Sequence, residues 1–277
     1  MGFNTFPPGR YRHHRRRPGP QQQQLTNEKN TMITIPLDSD TEIELVPVPG
    51  GTTRLGPCQN NGHRGSFEPL VLAGPETCQE VAVTGFWMGR YQVTQAQYQT
   101  VMGDNPTHEH DHNPKNPVTN VLWDEAVKFC TKLSELSGKR FTLPNEGQWE
   151  HACRAGTTTA YHFGDTLNPT LANYEYVGSR TRPAAVGSYP PNAFGLFDMH
   201  GNVLELCLDP WTPDYSGLSM DDQVKAGFEP LGPKVARGGS FFDDDLGCMS
   251  NYRYRWEGCE SCGSVGFRVV CLDNLEP

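Results

Sequence analysis

The 277-residue sequence has no long hydrophobic run. No apolar stretch approaches the roughly 18 to 20 residues that a transmembrane helix needs, and the first thirty residues contain no hydrophobic core of a secretory signal. Phe6 stands where an N-myristoylation motif has Ser or Thr, which disfavours lipidation. We therefore expect a cytoplasmic protein with no membrane span.

Positive charge is scarce outside the N-terminal region. The formal net charge is −9, but residues 1–30 carry a local charge of +5, which leaves −14 for the remainder. Contacts to phosphate require clustered Lys and Arg on the folded surface. The acidic body argues against nucleic acid as a partner of the folded domain.

Charged residues make up only 20% of the chain, whereas Gly and Pro are frequent, with 29 and 23 residues. This composition favours turns and long ordered loops over long helices. Residues 1–30 combine Arg, Pro and a Gln run with almost no aliphatic side chains, so we predict a disordered tail. We assign it no role and predict a single domain over residues 31–277.

The nine cysteines are an odd number and lack the density of a secreted disulfide scaffold. We expect most of them to be reduced. Cys130 and Cys153 lie on the inner faces of predicted helices, where a free thiol behaves as a small apolar side chain.

Alternating apolar residues predict a hairpin near the start of the domain. Ile33 and Ile35 precede a turn-rich segment, and Ile43 and Leu45 follow it, with the second strand ending at Pro47. Residues 52–80 give no periodic signal and are predicted to form a loop. The apolar residues between positions 81 and 88 predict one further strand.

Capping signals and apolar spacing predict three short helices. Thr94 and Gln97 form a capping box for a helix to about Met102, and Asn145 caps a later helix. Between them an amphipathic helix ends at Gly138. The inward-facing residues are predicted to be Ala96, Val101 and Met102 in the first helix, Trp123, Ala126, Val127, Cys130, Leu133 and Leu136 in the second, and Trp149, Ala152 and Cys153 in the third.

Two regions lack regular signals. His108, His110 and His112 alternate, a spacing that metal sites also use, but the surrounding Pro and Asn residues favour a surface loop. After Gly156 the apolar pieces are short, and we expect an irregular, strand-poor half.

Four segments together resemble the sulfatase-modifying-factor family, which includes formylglycine-generating enzymes. They are GFWMGRYQVTQAQYQTVMGDNP, NPVTNVLWDEAVKFCTKLSELSGKRFTLPNEGQWEHACRAG, NAFGLFDMHGNVLELCLDPW and RGGS with VGFRVV. They appear in family order from about Thr41 to Cys271. The resemblance implies an α+β, C-type-lectin-like fold of the formylglycine-generating-enzyme type. Such a fold has little regular secondary structure, with short helices around a small twisted antiparallel sheet.

The resemblance also defines a catalytic test. In the family's oxidases two cysteines after the GGS segment bind copper and convert a substrate cysteine to formylglycine with oxygen. Here the first position is similar to Asp243 and the second to Cys248. A single thiolate does not supply the two-sulfur coordination that Cu(I) favours. We therefore disfavour copper and expect a protein without catalytic residues, with Cys248 the catalytic candidate if it is an oxidase.

Two alternatives stay open for this chemistry. Cys259 and Cys262 form a C-x-x-C motif that would join Cys248 around a metal, or form a disulfide. We favour free thiols or a reversible disulfide. An iron-dependent oxygenase is the third interpretation, but no facial arrangement of histidines can be assigned.

Calcium is implied by the family resemblance at the GNVLE segment. Glu205 resembles the carboxylate ligand, with backbone oxygens from Gly201 and Val203 and with Asn202 ordering the turn. Asn173, with the adjacent Tyr174 carbonyl, matches half of a second site whose acidic ligand is not evident. The alternative is that Glu205 caps its own loop.

Residues 241–264 resemble a diversified binding surface, because Tyr, Asp, Ser and Gly are abundant there. The segment precedes a G-F-R ending, as in the variable proteins of diversity-generating retroelements. Tyr252, Tyr254 and Trp256 alternate, which predicts that they lie on one side of an extended strand. We predict that it binds a protein or another macromolecule, although its aromatic residues are as well explained by packing within the framework. The candidate ligand-binding residues are Phe241, Phe242, Asp243, Asp244, Tyr252, Tyr254, Trp256, Glu257, Ser261 and Ser264. Arg237 and Arg268 are predicted to form internal hydrogen bonds.

Overall fold

The computed structural model describes residues 1–2, 32–56, 79–176, 182–212, 232–258 and 260–273, and it has the predicted α+β class. The prediction for residues 1–30 falls almost entirely outside these ranges. Within them, no helix combines the length and the apolar character that crossing a membrane requires.

Three α-helices and eleven strands form the described domain. The helices are α1 (Gln95–Met102), α2 (Trp123–Ser137) and α3 (Glu146–Arg154). The strands are β1 (Ile33–Pro36), β2 (Glu42–Val48), β3 (Gly51–Leu55), β4 (Gln79–Val83), β5 (Phe86–Gly89), β6 (Phe141–Thr142), β7 (Leu204–Pro210), β8 (Pro233–Arg237), β9 (Arg253–Glu257), β10 (Val265–Gly266) and β11 (Val270–Cys271).

The predicted hairpin is confirmed as part of a five-stranded sheet with the order β1-β2-β5-β11-β6. Ile33 pairs with Leu45, and Ile35 pairs with Ile43. The prediction that β2 ends at Pro47 is wrong, because the strand continues to Val48. Pro47 lies beyond the last residue that pairs with β1, so its missing N–H leaves no bond unmade on that side.

Residues 52–80 are not a continuous loop, because their two ends pair as strands β3 and β4. Within β3 only Thr53 and Leu55 are buried, so its apolar signal is too short to recognise in the sequence. Residues 57–78 lie outside the described part. The single strand predicted over positions 81–88 is two strands, β4 and β5, separated at Thr84.

Helices α1 and α3 begin directly after their predicted capping residues, Thr94 and Asn145. In α1 the Thr94 side chain accepts a hydrogen bond from the Gln97 backbone, and the Gln97 side chain accepts one from the Thr94 backbone. Ala96, a predicted inward residue, is only half-buried. Tyr98, which the prediction omitted, is buried, and its ring stacks on that of Phe129 with the centroids 5.7 Å apart.

Some predicted inward positions are corrected. Leu136 is 63% exposed at the end of α2, whereas Phe129, which the prediction omitted, is fully buried. Val127 and Met102 are half-buried. Cys130 and Cys153 are buried as predicted.

The expectation of a strand-poor second half is wrong. Strands β10, β7, β8 and β9 form a four-stranded sheet in that order, with β10 parallel to β7 and the other pairs antiparallel. Leu204, Leu206 and Leu208 of β7 alternate with Glu205, Cys207 and Asp209, but residues 204–208 are all buried, so both faces of this strand are covered. Charged residues on β8 and β9, such as Arg237 and Arg253, are also buried, which hides these strands in the sequence.

A small aromatic cluster lies apart from the two larger hydrophobic clusters. Its buried members are Ala160, Tyr161, Ala172, Tyr174 and Cys248. Phe163, Leu167 and Met249 pack against it while partly exposed. Because Cys248 and Met249 belong to the 241–264 segment, this cluster lies beneath the predicted binding surface.

Candidate functional site

The turn that leads from β8 into the binding segment is tightly packed. Gly238 and Gly239 have positive φ angles of 93° and 68°. A Cβ atom at Gly239 would lie 2.6 Å from the Cys248 sulfur, so no other residue fits there without displacement. The GGS segment therefore positions the chain directly against Cys248.

Asp243, which the family resemblance predicts to stand at the position of the oxidases' first cysteine, is an internal hydrogen-bond acceptor. One carboxylate oxygen accepts from the Ser240 hydroxyl at 2.5 Å, and the other accepts from the Tyr254 hydroxyl at 2.8 Å. Burial raises the pKa of this carboxyl group. Its carbonyl accepts from the Glu175 N–H at 2.8 Å. The half-buried side chain of Asp243 thus links the turn to β9, and its contact with a ligand stays a prediction.

Cys248 is fully buried, and burial raises the pKa of its thiol well above the ordinary value. Its carbonyl accepts a hydrogen bond at 2.8 Å from Nδ1 of His200. Since a carbonyl only accepts, the proton of this imidazole is on Nδ1. The other ring nitrogen accepts from the His162 backbone N–H at 3.1 Å.

His162 and His200 form a stacked pair that the sequence analysis did not identify. Their ring centroids are 5.0 Å apart. Burial lowers the pKa of His200 to about 3 and that of His162 to about 4, so both rings are neutral at pH 7. The buried ring of His200 and the half-buried ring of His162, both neutral, pack as part of the framework beneath the loop.

Strand β9 carries the alternating aromatic residues. Tyr254 and Trp256 oppose Ala236 and Lys234 of β8, and they lie on one side of the sheet, as their spacing predicts. Both are half-buried and pack against the main hydrophobic cluster. Tyr252 is also half-buried, with its ring 4.7 Å from that of Tyr254. These aromatic residues are thus largely framework.

The remaining predicted contacts differ in exposure. Phe242 is 67% exposed. Asp244 and Ser261 are exposed, whereas Phe241, Glu257 and Ser264 are half-buried. Glu257 forms an ion pair with Arg255.

A second chain segment joins this surface. The backbone bond from Glu175 to Asp243 places Tyr176, which is 52% exposed, beside the loop that carries Phe242. Sequence analysis missed Tyr176 because the two segments are distant in sequence and neither carries a local signal of their contact. We define the exposed face as Glu175, Tyr176, Phe242, Asp244 and Asp245.

The predicted calcium ligands lie in a separate buried cluster. One Glu205 oxygen accepts from Gln92 at 3.0 Å and from Arg268 Nη2 at 2.7 Å. The other accepts from Trp149 at 2.7 Å and from Arg268 Nε at 2.6 Å. Asn202 donates to the Gln92 side-chain oxygen at 2.9 Å.

This cluster does not fit calcium. The ion requires about six to eight oxygen ligands, but protein donors use both oxygens of Glu205, and a guanidinium lies against them. The Asn202 side-chain oxygen accepts from Asn173, and the Val203 carbonyl accepts from Gln92. Gly201 packs on Asn173, whose carbonyl oxygen would lie 2.2 Å from an added Cβ atom. Glu205 is satisfied internally, by Arg268 and not by its own loop.

A second buried ionic cluster contains Arg237, the arginine of the RGGS segment. Arg237 forms an ion pair with Glu150 and donates to the carbonyl of Ser250 at 3.1 Å. Arg253 donates to both oxygens of Glu146, one of them at 2.9 Å. The predicted internal bonding of Arg237 and Arg268 is confirmed.

The histidine segment lies near the end of the binding segment. The His108 and His110 rings stack at 5.5 Å, and the His108 ring is the nearest side chain to Gly263. The part of the chain that the structure describes contains no group of three or more His, Cys, Asp or Glu side chains that could hold a metal ion. Cys259 is outside the described residues, so the C-x-x-C prediction stays a prediction.

Comparison with known proteins gives consistent matches. The family model described as "sulfatase-modifying factor enzyme 1-like domain" matches residues 34–272. The formylglycine-generating enzyme of Mus musculus is 26% identical over 304 residues, covering 82% of this chain and 74% of that protein. The formylglycine-generating enzyme of Thermomonospora curvata is 31% identical over 179 residues, 57% of this chain and 56% of that protein.

A solved structure shares the fold. Treponema denticola variable protein 1 superimposes with a TM-score of 0.71 at 23% identity, covering 88% of this chain and 99% of that one. At this identity the likeness establishes the architecture alone.

Proposed function

This chain belongs to the sulfatase-modifying factor enzyme 1-like family, and we propose that it is a non-catalytic member that binds a protein or another macromolecule through the exposed face. One observation carries the proposal. Asp243 stands at the position of the oxidases' first cysteine, and its carboxylate is held by Ser240 and Tyr254 within the loop that presents Phe242. We therefore infer that Asp243 stabilises the loop of the exposed face and does not bind copper.

Exposed aromatic side chains support recognition at this face. Among the described residues the exposed large hydrophobic side chains are Met1, Met32, Leu136, Tyr176 and Phe242. The two aromatic members of that set both belong to the exposed face. Aromatic side chains supply large contact area at low entropic cost, which is why binding surfaces are enriched in them.

The loop beneath Phe242 is held by several bonds. The Tyr161 hydroxyl donates to the Asp245 carbonyl at 2.5 Å, and the Ser250 N–H donates to the Ala160 carbonyl at 2.8 Å. The Gly247 N–H donates to the Asp244 carboxylate at 3.0 Å. A loop fixed in this way loses little entropy when it binds.

Binding is tested by selecting ligands from a random-peptide display library on the full chain. Phe242→Ala should weaken the selected ligands at least about tenfold, since central aromatic contacts contribute about 2 kcal/mol or more. Leu136→Ala is the matched control, because Leu136 is also exposed and hydrophobic but lies on α2. If the two variants lose the same affinity, or neither loses any, the proposed face is wrong.

Genetic diversification of residues 241–264 is part of the proposal. The fold shared with the Treponema denticola variable protein supports it. Internal roles of Asp243, Cys248 and Tyr254 imply that these positions stay constant while exposed ones such as Phe242 and Asp244 change. A reverse-transcriptase gene beside an imperfect copy of the coding segment would support diversification, and fixed exposed positions across isolates would contradict it.

The second candidate is a formylglycine-generating oxidase, favoured by the similarity to the mouse enzyme and by Cys248. Copper would need a second soft ligand, which Asp243 does not supply, and burial keeps the Cys248 thiol protonated at neutral pH. Titration with Cu(I) should show no tight binding that Cys248→Ser removes. Such binding, together with oxygen consumption on a cysteine peptide, would establish the oxidase instead.

A further inference from the structure

We infer that the partner of the exposed face contributes a cationic, arginine-containing protein segment. This inference rests on the proposed function and specifies the class of its ligand. Three exposed carboxylates, two exposed aromatic rings and the ion pairs of two basic side chains support it.

Three carboxylates of the exposed face point to a basic partner. Glu175, Asp244 and Asp245 are all exposed. Asp244 and Asp245 accept hydrogen bonds from the Gly247 and Leu246 N–H groups, which leaves their negative charge in place. Across the described ranges, no ion pair with Lys or Arg involves any of the three carboxylates.

Some acidic side chains elsewhere on the described surface are paired, whereas others, such as Glu80, Asp104 and Glu135, form no ion pair with Lys or Arg in the described ranges. Glu44 contacts Arg90 at 2.5 Å, Asp124 contacts Lys128 at 2.8 Å, and Asp273 contacts Lys139 at 3.8 Å and Arg140 at 3.4 Å. The exposed face differs from these places because its three acidic residues lie in the two segments that carry the exposed rings of Tyr176 and Phe242.

Two basic side chains of the described chain, Arg255 and Arg182, already have acidic partners. Arg255 pairs with Glu257, and Arg182 lies 3.7 Å from Asp111 while donating to the His110 carbonyl. An anionic partner such as nucleic acid would meet uncompensated like charge at this face, whereas a cationic segment would neutralise it.

The aromatic rings select arginine over lysine. Tyr176 and Phe242 flank the backbone bond between Glu175 and Asp243, so rings and carboxylates occur together. A guanidinium stacks on an aromatic ring and also makes two parallel bonds to a carboxylate. An ammonium group supplies charge without that planar match.

The test measures fluorescence anisotropy of labelled oligo-arginine, oligo-lysine and oligo-glutamate peptides with the full chain. The face variant carries Glu175→Gln, Asp244→Asn and Asp245→Asn. The control carries Glu80→Gln, Asp104→Asn and Glu135→Gln, which neutralise three exposed acids elsewhere and give the same net charge.

We expect the face variant to lower oligo-arginine affinity at least about tenfold and the control to lower it less than about threefold. Oligo-arginine should bind several-fold more tightly than oligo-lysine, and Tyr176→Ala with Phe242→Ala should close that gap. An equal loss in the two charge variants, or tighter binding of oligo-glutamate, would overturn the inference.

Three further outcomes are informative. One variant replaces Arg15, Arg16 and Arg17 with Ser. If this change raises the affinity for added oligo-arginine more than about threefold, the chain's own basic segment occupies the exposed face. That result would overturn the inference of a separate partner. If Phe242→Ala abolishes binding of library-selected ligands but the face charge variant changes no affinity, the proposed function stands and the arginine inference fails. If neither change affects any ligand, both fail.

Discussion

Two regions of this molecule use carboxylates in opposite ways. In the buried cluster, Glu205 has no exposed surface, and its oxygens receive four hydrogen bonds from Gln92, Trp149 and Arg268. On the exposed face, the carboxylates of Asp244 and Asp245 are exposed to solvent, and they form no ion pair with Lys or Arg in the described part of the chain. A buried carboxylate must be paired, because desolvating an unpaired charge is very costly, whereas an exposed one costs little and stays free for recognition.

Consecutive aspartates within one segment also differ in role. Asp243 is the first of three consecutive aspartates, but it accepts from Ser240 and Tyr254 and serves the framework. The two that follow are exposed. Adjacent identical residues thus divide between structure and surface according to which neighbours the fold brings to them.

The largest predicted effect comes from breaking the buried pair. Arg268→Met should lower the free energy of unfolding by about 3 to 5 kcal/mol, because it leaves the Glu205 carboxylate buried without its cation. Urea unfolding measures the change. The triple variant that neutralises Glu175, Asp244 and Asp245 should change stability by less than about 0.5 kcal/mol per site. Similar losses of unfolding free energy in Arg268→Met and in the triple variant would contradict the contrast between the buried and the exposed carboxylates.

An intermediate effect is expected on acid stability from the histidine pair beneath the face. The pKa of His162 is lowered from 6.5 to about 4 by burial. The unfolded chain therefore binds the proton more readily, and the contribution of the neutral ring is fully present above pH 6.5 and lost as the pH falls towards about 4.

His162→Phe keeps the aromatic packing and removes this titration. The acid-unfolding midpoint should move to lower pH by about a few tenths of a unit, as followed by circular dichroism. His110→Phe, at a side chain that is 64% exposed, is the control and should leave the midpoint unchanged. A His162→Phe midpoint equal to that of the starting protein would show that another group controls acid unfolding.

The smallest effect is predicted for calcium. Since Arg268 occupies the carboxylate that the family resemblance assigns to the ion, adding millimolar calcium or a chelator should shift the melting temperature by less than about 2 °C. Differential scanning calorimetry measures this shift. A saturable increase with calcium would show that the cation displaces the guanidinium and would place the predicted ligand Glu205 back in a metal site.

Local signals predicted the helices well and the sheets poorly. A capping box such as Thr94 with Gln97 is contained within a few residues, so its bonds form wherever the segment folds. Strand β7 is buried on both faces, and no capping signal marks where it begins. Its position between β10 and β8 in the sheet depends on contacts between segments that are distant in sequence. The same limit explains why the second half was expected to have few strands.

For the candidate site, the residue pattern identified the segment but not its exposed members. The family likeness placed Asp243 and Cys248 at the former cysteine positions, which the hydrogen bonds and burial then explained. Alternation predicted that Tyr254 and Trp256 share a side of β9, but not that they pack against the core. Tyr176 joined the site through a backbone bond to a distant segment.

The sequence by itself determined the family, the α+β class and the starts of α1 and α3, because these depend on residue identity and short-range spacing. Only the tertiary structure decided that Glu205 pairs with Arg268, that Asp243 is internal and that Tyr176 lies beside the binding loop. A side chain's charge state, partners and exposure depend on the residues that folding brings around it, and those residues are distant in sequence.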